Sequence, residues 1–439
     1  MRNSSGRNSI ACVGSAWNRL SITALLLVST MSLGTSAANG QTFTVLHAFT
    51  GGADGAAPGG TGITIDRGGN LYGGAGDGGL QEPQCYLGGD CGTIFKLSHR
   101  GSGWTFNVLY SFHGTDGDSP DGPLVFGPDG ALYGTTFYGG PGCSYGCGNV
   151  FRLQPPPTFC ASVSCPWTET VLYQFTGGND GAQPAFGAPL FDGAGNLYGT
   201  TIRDGAHNCG TVFELARDGN QWTFNLLWTF NGYLDGCMPF SGVTSDGAGN
   251  LYGTTTEEGV NEGGTAFQLT RLGQSWTLTT LRQFAPSTDG DDSLGTLVFD
   301  HSGNLLGTNR YGGPGRAGGV FALSPQNGGW NFSVLHSFSF SNQSGPAAPI
   351  LVDSAGNLYG TSVQGGRYGW GLVFKMTPSG FGYTYTDLYD FTGGSDGAWP
   401  YGQLAMDANG NLYGVAELGG MLGGVCGVYG CGTVWEITP

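Results

Sequence analysis

The sequence predicts an all-β fold: a seven-bladed β-propeller of four-stranded blades, its ring closed by an N-terminal strand that completes the last blade. Three observations predict it. One short motif recurs seven times at a nearly constant spacing. Each recurrence carries four strand-like segments. The two ends of the chain are partial repeats that complete one another.

The motif is Gly-Asn-Leu-Tyr-Gly, at Gly69–Gly73, Gly195–Gly199, Gly249–Gly253, Gly356–Gly360 and Gly410–Gly414. Weaker copies start at Gly130 and Gly303, so successive starts lie 61, 65, 54, 54, 53 and 54 residues apart. A period of this size marks a repeat architecture whose units bury their faces against neighbours. Seven such units therefore count as one domain rather than the two or three that 439 residues would otherwise suggest.

Within a unit the strands follow in order. In the third, Gly187 to Asp192 reads as strand a, and Asp192-Gly193-Ala194-Gly195-Asn196 as a tight turn in which Asp bonds local amides and Gly takes positive φ. Leu197 to Ile202 is strand b, Gly210 to Leu215 strand c and Trp222 to Phe230 strand d, on alternation and on aromatic and β-branched content. Strand c reads Gly-x-x-Phe-x-Leu in most copies. Strand d opens with an aromatic, has Leu five residues on and Phe three further, as in Trp222, Leu227 and Phe230.

The last unit stops at its strand c, Thr433 to Thr438, whereas Thr42 to Phe49 is a strand d with no unit before it. Pairing the two closes a ring and removes an open sheet edge. With strands a to d running outward from the axis, the b–c and d–a loops share one face and the a–b and c–d loops the other.

Gly is 86 of 439 residues but has no three-residue period, which excludes collagen, and it sits among regularly spaced aromatic and aliphatic residues, which argues against disorder. Arg2, Arg7 and Arg19, the apolar run Leu20 to Leu33 and the small residues Ser36 to Ala38 form a secretory leader. Residues 1–38 are thus expected to be a signal peptide cut after Ala38, with residues 39–439 the propeller and no later segment able to span a membrane. The net charge of −16 comes from scarce Lys and Arg, which disfavours nucleic acid as a partner.

Ten cysteines follow the leader, and an even set in an exported chain reads as disulfides. The expected pairs are Cys85 with Cys91, Cys143 with Cys147, Cys160 with Cys165 and Cys426 with Cys431. Cys209 and Cys237 remain, and the topology puts them on one face. Zinc is the rival reading of the close pairs, without nearby His ligands to support it.

No residue set fixes a reaction. The d–a loops each carry an Asp, at Asp54, Asp116, Asp180, Asp235, Asp289 and Asp396, with unit six lacking one. Calcium binding or recognition of a polyhydroxylated ligand is the functional reading; a turn Asp bonding local amides once per blade is the plainer one. Glu257, Glu258 and Glu262 cluster in the b–c loop of unit four, where paired carboxylates could serve acid–base chemistry or simply be solvated. His47 and His336 occupy a strand-d position held elsewhere by Tyr or Trp, so an aromatic slot is their expected place. Most aromatics fall at repeat-equivalent strand positions. Tyr138, Tyr145, Tyr311, Tyr368, Trp370 and Trp399 lie in or beside loops and are the candidates for ligand stacking.

The unit Asp-x-x-Gly-Asn-Leu-Tyr-Gly-Thr-Thr, a Gly-Gly loop and Gly-x-Val-Phe-x-Leu resembles the GloVer tandem repeat of bacterial choice-of-anchor tandem repeat proteins, across Thr42 to Pro439. The hairpin is also similar, more weakly, to NHL-type and lactonase-type propeller hairpins. The resemblance implies export and varied surface anchors, and implies no activity; here Pro439 directly follows strand c, which favours release or attachment by other means. The expected function is a secreted, monomeric binding or scaffold module for an extracellular glycan or protein. The alternative is a propeller hydrolase or lyase acting on extracellular carbohydrate at the axial mouth.

Overall fold

The seven recurrences of Gly-Asn-Leu-Tyr-Gly fold as seven hairpins between strands a and b. A computed structural model describes residues 41–439, apart from 87–88, 102, 158–165, 185, 340–342 and 381. The expected leader and the Cys160–Cys165 pair lie outside the described residues.

Each hairpin is held by its Asp. The Asp192 carboxylate accepts from the amides of Ala194 and Asn196, from Asn196 Nδ2 at 2.9 Å and from the Tyr198 hydroxyl at 3.2 Å. The same set recurs at Asp66, Asp246, Asp353 and Asp407. In unit two, where Gly127 replaces this Asp, Asp129 takes over and binds the Ala131 amide and the Tyr133 hydroxyl. The motif's Asn and Tyr are thus side-chain donors to one carboxylate. Its second Gly is a packing requirement: a Cβ on Gly199 would lie 2.6 Å from Phe213 Cζ, and the equivalent glycines all face the strand-c aromatic as closely.

Seven antiparallel blades follow, each with strand order a-b-c-d; that of unit three carries one further short strand, Ala182–Pro184, and Gln343–Ser344 pairs separately with Gln364–Gly365. The last is made of Ala405–Met406, Leu412–Ala416, Thr433–Thr438 and the N-terminal Thr42–Ala48, which pairs with Thr433–Thr438 from Thr42↔Thr438 to Ala48↔Thr433. The ring is closed as expected. Strand a is shorter than the sequence suggests. In unit three only Leu190–Phe191 of the Gly187 to Asp192 run is strand, and the earlier segment Ala182–Pro184 pairs with the far end of strand b.

The core is seven clusters, one at each junction between neighbouring blades. At every junction the strand-d Phe of one blade meets the strand-c aromatic of the next at 5.1 to 5.8 Å, mostly edge-on. Phe175 against Phe213 is one such pair and Phe391 against Trp435 another, all fully buried. Such contacts add to the burial of the rings themselves. A bulge recurs where strand d passes the strand-c Phe, for example between Val212 and Phe213. It reconciles a Leu and a Phe three residues apart with a two-residue strand period, because the extra residue resets which side faces in.

Four disulfides join the described cysteines: Cys85–Cys91, Cys143–Cys147, Cys209–Cys237 and Cys426–Cys431. Three staple single b–c loops. Cys209–Cys237 instead ties the b–c loop of blade three to the loop entering blade four, across 28 residues. Replacing both of its cysteines by Ser is expected to lower the unfolding free energy by about 3–4 kcal/mol, read by denaturant titration, because its loop is the longest of the four. No helix among the described residues is long and apolar enough to cross a membrane.

Candidate functional site

The d–a loop aspartates stand on the face shared by the b–c loops, and each is bound inside its own loop. Asp180 accepts from the Tyr173 hydroxyl, the Thr176 amide and the Thr176 hydroxyl, at 3.0, 2.9 and 2.7 Å. Asp396 does the same with Tyr389 and Thr392, and Asp116 with Tyr110 and the His113 amide. Asp235 takes the Trp228 indole N–H, Asp289 the Arg282 guanidinium and Asp54 the His47 ring. Tyr, Trp, Arg and His therefore share one strand-d position because each offers a hydrogen-bond donor at that height. The six carboxylates are not brought together. Each is engaged by N–H or O–H donors of its own loop and strand d. Calcium is expected to leave the melting temperature unchanged against chelator, whereas Asp180→Asn is expected to cost about 1 kcal/mol of stability. Glu257, Glu258 and Glu262 are exposed, and the Glu257 charge adds to the upward push on Asp292.

The residues that converge are those at which the repeats differ. After each d–a loop the chain turns through one left-handed residue: Ala57, Ser119, Gln183, Met238, Asp292, Gly345 and Trp399, the six non-glycines at φ 50 to 58°. Such a conformation is costly outside Gly and persists where the surroundings fix it. Here the backbone is clipped on both sides. In blade seven the Trp399 amide donates to the Trp370 carbonyl of the preceding blade, and its carbonyl accepts from the amide of Glu417, the residue after its own strand b. Ser119 is held in the same way by Cys91 and Phe137.

These turns aim the next residues, and those leaving strand b, at the axis. They enclose a vestibule of about 460 Å³, lined by Asp77, Asp121, Glu417, Arg310, Phe186, Phe240, Trp399 and Tyr401 among others. Its size suits a small-molecule or sugar ligand, for which pockets run about 300–1,000 Å³. Below it Phe186, Phe240 and Tyr401 narrow the axis to a waist of about 30 Å³. Beyond the waist the opposite mouth is an apolar bowl of about 450 Å³, walled by strand-a residues such as Leu190, Val298 and Leu351.

A family model described as the Gloeobacter/Verrucomicrobia repeat matches residues 142–339 and 327–439, more than half of the chain. The chain belongs to the Gloeobacter/Verrucomicrobia repeat family. No curated protein matches it. Among solved structures it is similar to the PQQ-bound form of aldose sugar dehydrogenase from Streptomyces coelicolor, at 13% identity and a TM-score of 0.46, over 91% of this chain and 98% of that one. It is similar also to a protein of unknown function from Dyadobacter fermentans, at 11% identity and a TM-score of 0.45, over 91% and 98%. Likenesses this distant transfer no chemistry, so the site of this Gloeobacter/Verrucomicrobia repeat protein is read from its own residues.

The vestibule is acidic with one cation. Burial pushes the Asp121 carboxyl well above the usual carboxylate range, and the neighbouring charges of Asp77, Glu417 and Asp118 push it further. Glu417 is raised by burial and Asp77, with Arg310 pulling the other way. Asp292 is pushed up to about 6, chiefly by burial and against the pull of Arg310, whose Nη1 lies 3.8 Å from its Oδ2. The Arg310 guanidinium carbon stands 5.0 Å from the Tyr311 ring and 5.7 Å from the Tyr401 ring. The walls therefore offer carboxyl groups, one of them with its proton affinity raised well above the ordinary, together with a guanidinium and aromatic faces, which are the partners of a hydroxyl-rich ligand.

Trp399 is the one vestibule residue that the sequence reading singled out. Asp121, Glu417, Arg310, Tyr401 and Phe240 come from separate repeats and form no local motif. Comparing the residue seven places after the motif's first Gly across units would have isolated Arg310 and Glu417 from Gly76, Phe137, Ile202, Thr256 and Val363. The surface points to the same face: every exposed aromatic among the described residues, Tyr86, Tyr145, Tyr233, Tyr311, Tyr368, Trp370 and Tyr429, stands on a b–c or d–a loop.

Proposed function

We propose that this protein is an exported binding module whose axial vestibule holds a sugar unit of an extracellular glycan. The observation that supports it most is the vestibule itself, in which repeat-breaking acids, one arginine and aromatic rings converge above a narrow waist. The paired cysteines agree with an oxidising location outside the cytoplasm. A second reading has one specific observation in its favour. Asp121, in the vestibule wall with Asp77 and Glu417, holds its proton more tightly than an ordinary carboxyl, and unequal carboxyls side by side are how acid and base roles are divided in a hydrolase or lyase. A glycan-binding screen with products monitored in parallel separates the two: binding without turnover is the expected result, turnover lost in Asp121→Asn would establish the enzyme, and no binding at all would remove both.

A further inference from the structure

Resting on the glycan reading, we propose that Tyr86, Tyr138 and Tyr145 form an outer subsite for the sugar units that follow the one in the vestibule. The three rings come from the b–c loops of blades one and two and touch one another. Tyr86 and Tyr138 stack with centroids 4.5 Å apart and planes within 4°, and Tyr145 stands edge-on to Tyr86 at 4.9 Å. Tyr86 and Tyr145 differ from the inter-blade aromatics in being open, at 39% and 40% exposed, while Tyr138 is half-buried. Two disulfides set the loops that present them, since Tyr86 directly follows Cys85 and Tyr145 lies between Cys143 and Cys147. A platform fixed in this way loses little freedom on binding.

The platform is continuous with the vestibule. The Tyr86 amide donates to Asp118 Oδ2, next to Ser119 on the vestibule wall, and the Phe137 ring beside Tyr138 is 5.3 Å from Phe186. The waist has room for about one water molecule, so a glycan cannot thread the axis. It enters by a chain end, and its remaining units must leave across the rim. On the side of blades one and two that rim is the tyrosine platform. Phenols suit the units that lie there, because a ring face covers the apolar side of a sugar while the hydroxyl edge stays wet. Carboxylates at Asp77, Asp90 and Glu82 border these loops, so the chain is neutral or amine-bearing rather than uronic.

The test is calorimetry with glucose, N-acetylglucosamine and glucosamine and their β-1,4-linked oligomers of two to six units, with oligogalacturonate as the anionic control. The wild-type protein is expected to bind one neutral or amine-bearing series, about tenfold more tightly at three units than at one. Tyr86→Ala/Tyr145→Ala keeps the single-unit affinity and loses the gain with length. Tyr401→Ala weakens every length. Tyr145→Ala alone repeats the test if the double variant does not fold. Length-independent binding by wild type, or equal loss at all lengths in the platform variant, overturns the outer subsite and leaves the vestibule standing. Absence of binding by any neutral or amino sugar overturns both, and tightest binding of oligogalacturonate overturns the stated ligand class.

Discussion

A chain lacking residues 41–49 fails to fold cooperatively. The missing strand supplies the outer edge of blade seven and side chains at two of the seven inter-blade junctions. Phe43 stacks on Tyr389 at 3.8 Å on one side of the blade, and Phe49, fully buried, meets Phe95 at 5.4 Å on the other. Without it both neighbouring clusters open and the ladder on Thr433–Thr438 has no partner. Truncating even one such buried ring costs about 3–5 kcal/mol, and a whole domain is stable by only about 5–15 kcal/mol. Circular dichroism melts and size exclusion read the outcome, and a synthetic peptide of residues 41–50 added in trans should restore a sharp transition. A truncated chain that melts at the wild-type temperature would mean that the ring is held without its closing strand.

Glu169→Leu raises the melting temperature most at pH 8 and flattens its dependence on pH. Glu169 occupies the strand-d position taken elsewhere by Phe106, Phe224, Leu278, Phe332 and Tyr385. Those side chains lie against the strand-d donor of the preceding blade, as Phe106 stacks on His47 at 3.8 Å and Phe224 on Tyr173 at 4.5 Å. In blade two a carboxyl fills the slot beside Tyr110 and Asp116, with Oε1 buried and unpartnered. Burial, and then the Asp116 charge, push Glu169 up to about 8 from an ordinary 4.5. The folded state therefore binds a proton that the unfolded chain releases, and stability falls as pH rises from about 4.5 to about 8. Allowing for partial solvent access, the loss across that window is roughly 2–3 kcal/mol. Leu removes it, as Leu278 already does in blade four. Asp121, Asp292 and Glu417 shift in the same direction, so the difference between variant and wild type is the quantity that isolates Glu169. Parallel pH profiles for the two would mean that the carboxyl is solvated in the slot.

The repeat made the architecture legible. Strand order, seven blades, ring closure and the Cys209–Cys237 bridge all follow from equivalence between units, and equivalence is what a sequence displays. The side-chain logic was less visible. The strand-d bulge is implied by Leu and Phe standing three residues apart, an odd spacing for a strand, yet only the ladder shows where the extra residue sits. The Tyr of the motif reads as a strand residue, although its hydroxyl bonds the Asp six positions earlier. The vestibule was hidden for a different reason. Asp121, Arg310, Tyr401 and Glu417 meet only because closure brings blades two, five and seven to one axis. The loop aspartates are conspicuous in the sequence because they repeat, and they repeat because every blade needs the same turn.

Asp121→Asn and Asp180→Asn, compared side by side for stability and for glycan affinity, test the central claim that function resides in the breaks of the repeat. Asp121→Asn should leave the melting temperature unchanged or raise it, since it replaces a carboxyl whose ionisation burial and its acidic neighbours disfavour, while binding is lost. Asp180→Asn should lower the melting temperature and leave affinity intact. The reverse pattern, with binding lost in Asp180→Asn and retained in Asp121→Asn, would contradict the account and return the site to the ring of loop aspartates.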